Sequence, residues 1–107
     1  MSISYQPKDS AVQGLQLKVQ ELVVNKSDAI VSVSGNDVII DLKEPLYQMI
    51  NGSKVSVAEI RAALYCSHST SAVLKVEGVV GDTTLTITLP NPLADLDVLI
   101  VKYAVHK

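Results

Sequence analysis

The chain has 107 residues and a formal net charge of -2, with its lysines scattered singly and Arg61 as its one arginine. Nucleic-acid-binding domains usually carry a clustered basic face, so neither DNA nor RNA is an expected partner. The single cysteine, Cys66, excludes an intrachain disulfide framework, and no apolar run approaches the about 20 residues of a membrane-spanning helix, so no membrane partner is expected.

The core must be almost purely aliphatic. The sequence has no Trp and no Phe, and its four aromatic residues are Tyr5, Tyr47, Tyr65 and Tyr103. Val and Ile favour half-buried strands, so the composition favours a β-rich domain, with one core for the whole of residues 15–107. The first residues lack the basic and apolar regions of a signal peptide, which predicts synthesis in the cytoplasm without a leader.

Residues 1–14 are expected to form an N-terminal arm. They are polar, contain Pro7 and Gly14, and show no sustained periodicity. Such a segment is either a frayed terminus or an extension that becomes ordered on a neighbouring subunit.

The next part of the sequence predicts an antiparallel meander. Alternating apolar residues predict three strands, at 15–24, 29–34 and 38–42. The alternation slips by one residue near Gln20 and Glu21, which predicts a β-bulge in the first strand. Turn residues separate the strands at 25–28 and at 35–37, where Gly and Asn tolerate positive φ.

The middle of the sequence has helical features. Pro45 at a first helical position and the stop signal Asn51-Gly52 predict a short helical turn over 44–50. Ser56 and Glu59 match a capping box, followed by a stripe of apolar residues at helical spacing. We therefore predict one main helix at about 56–65.

Strand signals return in the last third of the chain. They predict strands at 72–80, 83–89 and 97–105, and the prolines at 90 and 92 end the second of these. The last strand is apolar on both sides, which is typical of a strand in the centre of a sheet that is covered on both faces. We expect the predicted helix to cover one of those faces.

These elements predict an α+β fold that is mainly β. Two antiparallel groups of strands, 15–42 and 72–105, would surround the helix at 56–65 in a sandwich-like arrangement.

None of the polar clusters predicts a catalytic, cofactor or metal site. Cys66 and His68 supply two ligands, whereas zinc requires three or four, so Cys66 is expected to be a small core residue at the end of the helix. Asp95 and Asp97 weakly suggest a calcium site, but turn chemistry explains them better. The row Thr84, Thr86 and Thr88 is ordinary for a strand with one solvent-facing side.

A surplus of apolar residues points to assembly. Val23, Ile39, Leu99 and Val101 lie opposite the residues assigned to the main core, and exposed aliphatic strand surface favours association. The candidate interface residues are Tyr5, Ile39, Leu99, Val101 and Tyr103.

One further feature is a resemblance. The polar opening Ser4-Tyr5-Gln6-Pro7, followed by a small β domain rich in Val, Thr and Ser, resembles small phage particle proteins of the head-decoration or cement type. The resemblance covers chain size, style and this tetrapeptide. It implies an oligomer that sits on a capsid surface and binds the shell with its arms or loops.

We therefore predict a non-enzymatic structural or assembly protein. It would act as a homo-oligomer bound to a larger protein assembly, such as a virion that carries it as a capsid decoration protein. The alternative is a small ligand- or glycan-binding β module that uses tyrosines or the threonine row. A small enzyme is disfavoured because acid-base and nucleophilic candidates are few.

Overall fold

A computed structural model describes residues 17–106, and every regular element among them is a β-strand. The mainly β prediction is thereby confirmed. The strands are β1 (Leu17–Val24), β2 (Val31–Ser34), β3 (Asp37–Asp41), β4 (Tyr47–Ile50), β5 (Ser53–Ser56), β6 (Ala58–Cys66), β7 (Val73–Lys75), β8 (Glu77–Val80), β9 (Thr84–Thr88) and β10 (Val98–His106). The predicted arm over residues 1–14 lies outside the described residues.

The strands form two four-stranded sheets and one separate hairpin. Sheet A has the order β1-β10-β6-β7, sheet B has the order β2-β3-β9-β8, and β4 pairs with β5; all pairings are antiparallel. The predicted meander is therefore wrong, because β1 pairs with β10 and lies in a different sheet from β2 and β3. The two predicted strand groups, 15–42 and 72–105, are both divided between the sheets.

The pairing in sheet A follows strand length. β1 has eight residues and β6 and β10 have nine each, so β10 can be paired along almost its whole length on both sides. The prediction that the last strand is central in its sheet is confirmed. The predicted bulge in β1 is wrong, since β1 pairs with β10 without a break in register.

The core lies between the two sheets and is aliphatic, with Tyr65 and Tyr103 as its aromatic members. Sheet B contributes the alternate residues of β3 and β9, and sheet A contributes those of β6 and β10. The fully buried side chains include Val38, Ile40, Leu46, Leu85, Ile87, Leu93, Leu99 and Val101. Burying such side chains contributes about 1.5–3 kcal/mol each, which makes this layer the main source of stability.

The predicted helix at 56–65 is wrong, and a bulge explains the error. Lys102 pairs with Ala62 but Tyr103 pairs with Ile60, so Arg61 has no residue opposite it. The extra residue shifts the alternation, and the core-side residues of β6 become Ala58, Ile60, Ala63 and Tyr65. Ile60 and Ala63 are therefore three positions apart on one face, which matches the spacing of an apolar stripe on a helix.

The capping box has a different role in the strand. The Ser56 hydroxyl donates to the carbonyl oxygen of Ala58 at 3.1 Å. The Glu59 carboxylate forms an ion pair with Arg61 at 3.0 Å, so it does not reach back to Ser56. The spacing of Ser56 and Glu59 fits the start of a helix, but here these residues belong to strands, and Glu59 lies in a strand with a bulge.

The short helical turn predicted over 44–50 is also wrong, because Asn51-Gly52 is the turn of the β4–β5 hairpin. Both residues have positive φ, 52° and 82°, as a type I′ turn requires. The hairpin predicted at Gly35 is confirmed: Ser34 pairs with Asp37, and Gly35 has a φ of 60°.

The strand predicted at 72–80 is divided at Val76. β7 pairs with β6 in sheet A, whereas β8 pairs with β9 in sheet B, so the chain crosses between the sheets within one residue. The amide of Val76 donates to the carbonyl oxygen of Ala63 at 3.0 Å and fixes this crossing point.

Gly78, just after the crossing, gives a test of this packing. A Cβ atom there would lie 2.7 Å from the carbonyl oxygen of Thr86 and would also collide with the Ile87 side chain. We expect Gly78→Ala to lower the free energy of unfolding by about 1–3 kcal/mol, measured by urea titration. Val79→Ala, at the exposed neighbouring position, should change it by less than about 0.5 kcal/mol. Equal effects of the two variants would contradict the close approach of β8 to β9.

Candidate functional site

β10 determines which residues of sheet A face the core and which face outward. Leu99, Val101 and Tyr103 are buried against sheet B. Their neighbours Ile100 and Lys102 point to the other side, because successive side chains of a strand alternate. In antiparallel pairs, residues directly opposite each other share a face, so the register of β10 also assigns the faces of β1 and β6.

The outer side of sheet A is largely aliphatic, and we call it the apolar face. Val23 lies opposite Ile100, and Ile100 lies opposite Leu64, so an apolar row crosses three strands. Its apolar members are Val19, Val23, Ala62, Leu64, Cys66, Val73, Val98, Ile100 and Ala104. Val23 is 65% exposed and Val73 is 61% exposed, so large aliphatic side chains lie open at both edges of this face.

The outer side of sheet B is polar by comparison. Across β2, β3 and β9 it presents the Ser, Asp and Thr residues Ser32, Ser34, Asp37, Asp41, Thr84, Thr86 and Thr88. The Thr88 hydroxyl donates to the Asp37 carboxylate at 2.9 Å, which joins two of these strands. The apolar residues on this side are Ile39 and, on the edge strand β8, Val79. A sheet with one solvated face normally looks like sheet B, so the apolar face of sheet A requires an explanation.

Two opposite charges lie in the middle of the apolar face. Glu21 and Lys102 are direct cross-strand partners, and both are exposed. They are nevertheless absent from the ion pairs within 4.0 Å that the described residues form. Within residues 17–106, therefore, neither charge has an ion-pair partner.

The β4–β5 hairpin is a second exposed apolar feature. Met49, Ile50 and Val55 are exposed on it, and it pairs with no other strand of residues 17–106. Its base is held by the amide of Leu46, which donates to the carbonyl oxygen of Asp82 at 2.8 Å. An isolated two-stranded hairpin is only marginally stable, so these few contacts decide its position.

Lys54 ties one side of this hairpin to the end of sheet B. Its ammonium group donates to the Asp82 carboxylate at 2.6 Å and lies 4.8 Å from the centre of the Tyr47 ring. The hydrogen bond and the negative charge of Asp82 raise the pKa of Lys54 above its ordinary value. The hairpin is thus oriented toward the β8–β9 turn by one exposed ion pair.

Asp97 is the one buried charged residue among residues 17–106, and it joins three segments. Its carboxylate accepts hydrogen bonds from the Tyr65 hydroxyl at 2.8 Å, the His68 amide at 2.8 Å and the Ala94 amide at 3.0 Å. It thereby fixes the loop before β10 and the loop after β6 to each other. Such a fully hydrogen-bonded carboxylate is typical of a structural group.

Two pKa values in this cluster reflect its environment. Burial acts to raise the pKa of Asp97, but the hydrogen bonds from His68, Ala94 and Tyr65 outweigh it and lower the pKa below the ordinary value. Burial raises the pKa of the Tyr65 hydroxyl, and the hydrogen bond to Asp97 raises it further. The pair is therefore an ionised carboxylate and a neutral phenol at neutral pH.

A shallow groove of about 340 Å³ lies beside the bulge in β6. It is lined by residues 60–63 and 75–78, which include Arg61, Lys75 and Glu77. Since Arg61 is already paired with Glu59, the groove presents mixed charge.

Residues 17–106 contain neither a cluster of metal ligands nor a membrane-spanning helix. Their His, Cys, Asp and Glu side chains include no group of three or more placed to hold a metal ion. Asp95 pairs with Lys26 on the surface while Asp97 is buried, so the two do not form a joint site. None of the described segments is a helix of the length and apolar character needed to cross a membrane.

The structure separates the residues proposed from the sequence as an interface. Leu99, Val101 and Tyr103 face sheet B and are buried in the core, so in this fold they offer no surface to a partner. Ile39 is half-buried on the polar outer side of sheet B, between Ser32 and Thr86. Tyr5 lies outside the described residues. Cys66, expected in the core, is half-buried on the apolar face.

Sequence reasoning missed Leu64, Val98 and Ile100 as surface residues, although one signal was present. Lys102 alternates in phase with Val98 and Ile100, and a lysine is almost never fully buried. That phase of β10 therefore had to face outward. Leu64 gave no such signal, because residues 56–65 matched a helix.

Comparison with known proteins identified no relative. No family model, no curated protein and no solved structure matches the chain.

The Asp97 cluster predicts a pH-dependent contribution to stability. Because the folded pKa of Asp97 is lowered, its contribution is present above the unfolded value of about 3.9 and is lost as the pH falls toward the folded pKa. We expect Asp97→Asn to lower the free energy of unfolding by about 2–4 kcal/mol at pH 7, because it removes a buried charge that accepts three hydrogen bonds. Urea titrations from pH 7 to pH 3 should show the difference from wild type shrinking below about pH 4.

Asp95→Asn is the matched control, since Asp95 is exposed. It should change the stability by less than about 0.5 kcal/mol at both ends of the pH range. A difference between wild type and Asp97→Asn that stays constant down to pH 3 would show that the Asp97 charge does not stabilise the fold.

Proposed function

We propose that the chain is a non-enzymatic structural protein that acts as a homo-oligomer within a larger protein assembly. The observation that carries this proposal is the contrast between the two outer faces: sheet B presents Ser, Asp and Thr, whereas sheet A presents an open aliphatic surface. Both sheets already share one core, so the apolar face is not needed to hold the two sheets together.

An aliphatic sheet surface of this kind is costly to leave in water. Covering a fully exposed Val or Leu side chain contributes about 1.5–3 kcal/mol to the free energy of association. Val23 and Val73 are 65% and 61% exposed, so covering each of them would contribute a large part of that amount. Contiguous apolar patches on a small domain mark interaction surfaces. Protein partners supply the flat complementary surface that such a face requires.

The exposed hairpin supports a second contact with a different surface. Met49, Ile50 and Val55 lie on a two-stranded projection at a distance in sequence from the apolar face. With one surface for copies of itself and one for another protein, the chain would have the two contacts that a decoration protein on a capsid requires. The resemblance to small phage particle proteins agrees with this role, and we propose the virion as the assembly.

A small ligand-binding module is the second candidate. The groove beside Arg61 favours it, since 340 Å³ is within the usual size of small-molecule sites. Tyr65 and Tyr103, two of the tyrosines that the sequence offered for such a module, are buried in the core and are not available to a ligand.

Oligomerisation is tested by light scattering coupled to size exclusion over a wide range of concentration. We expect a mass that is a multiple of 11.5 kDa at high concentration. Val23→Lys should shift the protein toward the monomer, because a charge replaces an open valine in the apolar face. A protein that remains monomeric at all concentrations would overturn the proposal.

Val79→Lys is the matched control. Val79 also lies on an edge strand and is 67% exposed, but it belongs to the polar side of sheet B. It should leave the mass distribution unchanged. Equal losses of association in both variants would indicate a general effect of added charge and would contradict a role for the apolar face.

The place in a virion is tested in the organism that carries the coding sequence. Particles are induced, banded on a density gradient and analysed by mass spectrometry. We expect the chain to be found in the particle band and to be lost from it when Met49 and Val55 are replaced by Ser. Its absence from every particle fraction would reject the virion and leave oligomerisation to be judged on its own test.

A further inference from the structure

We infer that the apolar face binds a second copy of this chain, through a two-fold axis that runs along the strands between β1 and β10. This inference rests on the proposed function and names the partner and the geometry of its interface. In this arrangement sheet A of one copy packs face to face on sheet A of the other, with β1 of each copy over β10 of its partner.

The residues of β1 and β10 are complementary under this axis. A rotation about it places each residue of β1 over the residue of the partner's β10 that is its own cross-strand neighbour. Val23, which is 65% exposed, would therefore meet Ile100. Val19, which is 53% exposed, would lie over the position of Ala104, whose own side chain is already fully buried within the chain.

The charged pair decides the position of the axis. With the axis between β1 and β10, each Glu21 lies over a Lys102 of the other copy, and both charges are neutralised. An axis over β10 itself would place two Lys102 ammonium groups against each other, and an axis between β10 and β6 would cover Lys102 with Ala62. Like charges and buried unpaired charges both disfavour association, so the first position is selected.

The size of this contact predicts a weak dimer. Two neighbouring strands of about eight residues span roughly 10 Å by 26 Å. Such an interface belongs to the small, transient class of contacts, so we expect association at micromolar or higher concentrations. The β6 and β7 part of the apolar face, which includes Leu64 and Val73, stays outside the two-fold contact.

Charge reversal with mixing tests the inference, because it separates contacts between copies from contacts within one chain. In the Glu21→Lys variant, positions 21 and 102 of each face are both lysine. In the Lys102→Glu variant, both positions are glutamate. We expect each variant alone to dimerise at least about tenfold more weakly than wild type, because like charges meet across the axis. An equimolar mixture should dimerise at least as well as wild type, because two lysines then face two glutamates.

The measurement is sedimentation velocity at several concentrations, with one variant carrying a fluorescent label so that mixed dimers are counted directly. Lys75→Glu is the matched control, since Lys75 lies on β7, outside the contact; it should dimerise like wild type and should not pair selectively with Glu21→Lys. Thermal unfolding of each variant shows that it is folded.

The outcomes distinguish this inference from the proposed function. An oligomer whose association is unaffected by both reversals, or a mixture that dimerises no better than its components, would overturn the two-fold contact and leave the proposed function standing. A wild-type chain that is monomeric at every concentration would overturn both.

Discussion

β10 hydrogen-bonds to β1 along one side and to β6 along the other, so the register of this one strand assigns every residue of those three strands to a face. A shift by one residue would exchange the core row Leu99, Val101 and Tyr103 for the outer row Val98, Ile100 and Lys102. That exchange would bury the ammonium group of Lys102 in an aliphatic core, which is costly for a charged group. The lysine thus fixes the phase of a strand whose apolar residues would fit either face.

The ends of sheet A depend on the same register. Asp97 lies directly before β10, and its carboxylate holds the loops at 67–71 and 91–97 through the Tyr65 hydroxyl and two backbone amides. At the other end, β6 has one extra residue, Arg61, at the bulge. β6 stays paired with β10 beyond this bulge, but the alternation of its side chains is shifted by one residue. Beyond that bulge the amide of His106 donates to the carbonyl oxygen of Val57, which closes the pairing at the end of β10. β10 is therefore held by hydrogen bonds at both ends and by pairing with β1 and β6 in its middle.

The outer faces of the two sheets differ in polarity, and this difference is the basis of the proposed function. Sheet B has the polar outer side that is ordinary for an antiparallel sheet of a small domain. Sheet A has a largely aliphatic outer side, with the opposite charges Glu21 and Lys102 in its middle and with Glu59 and Lys75 on β6 and β7. These charges form no ion pair with each other, and in the proposed dimer they would distinguish a matching partner from other apolar surfaces. The asymmetry between the sheets is the observation on which the proposed role in assembly rests.

Local residue patterns in the sequence were sufficient to predict several of the strands and turns. Alternation predicted β9, and a run of residues apolar on both sides predicted β10. Gly35-Asn36 predicted the hairpin between β2 and β3, and Pro90 predicted the end of β9, because each of these signals depends on neighbours in the chain. The same reasoning failed at 56–65, where one extra residue at Arg61 turned a strand pattern of period two into an imitation of a helix. It failed again at Asn51-Gly52, whose positive φ values suit a hairpin turn as well as a helix end.

The sequence by itself determined a β-rich domain with an aliphatic core and a last strand in the centre of its sheet, since residue preferences and alternation are local properties. The tertiary structure alone decided that β1 pairs with β10, that the stretch 72–80 is divided between two sheets, and that the apolar surplus lies at Val23, Leu64 and Ile100. Strand pairing joins residues that are up to 89 positions apart, such as Leu17 and His106, and no local pattern specifies such a partner. The exposed side of a strand follows from that pairing, so the candidate surface could be located only after the sheets were known.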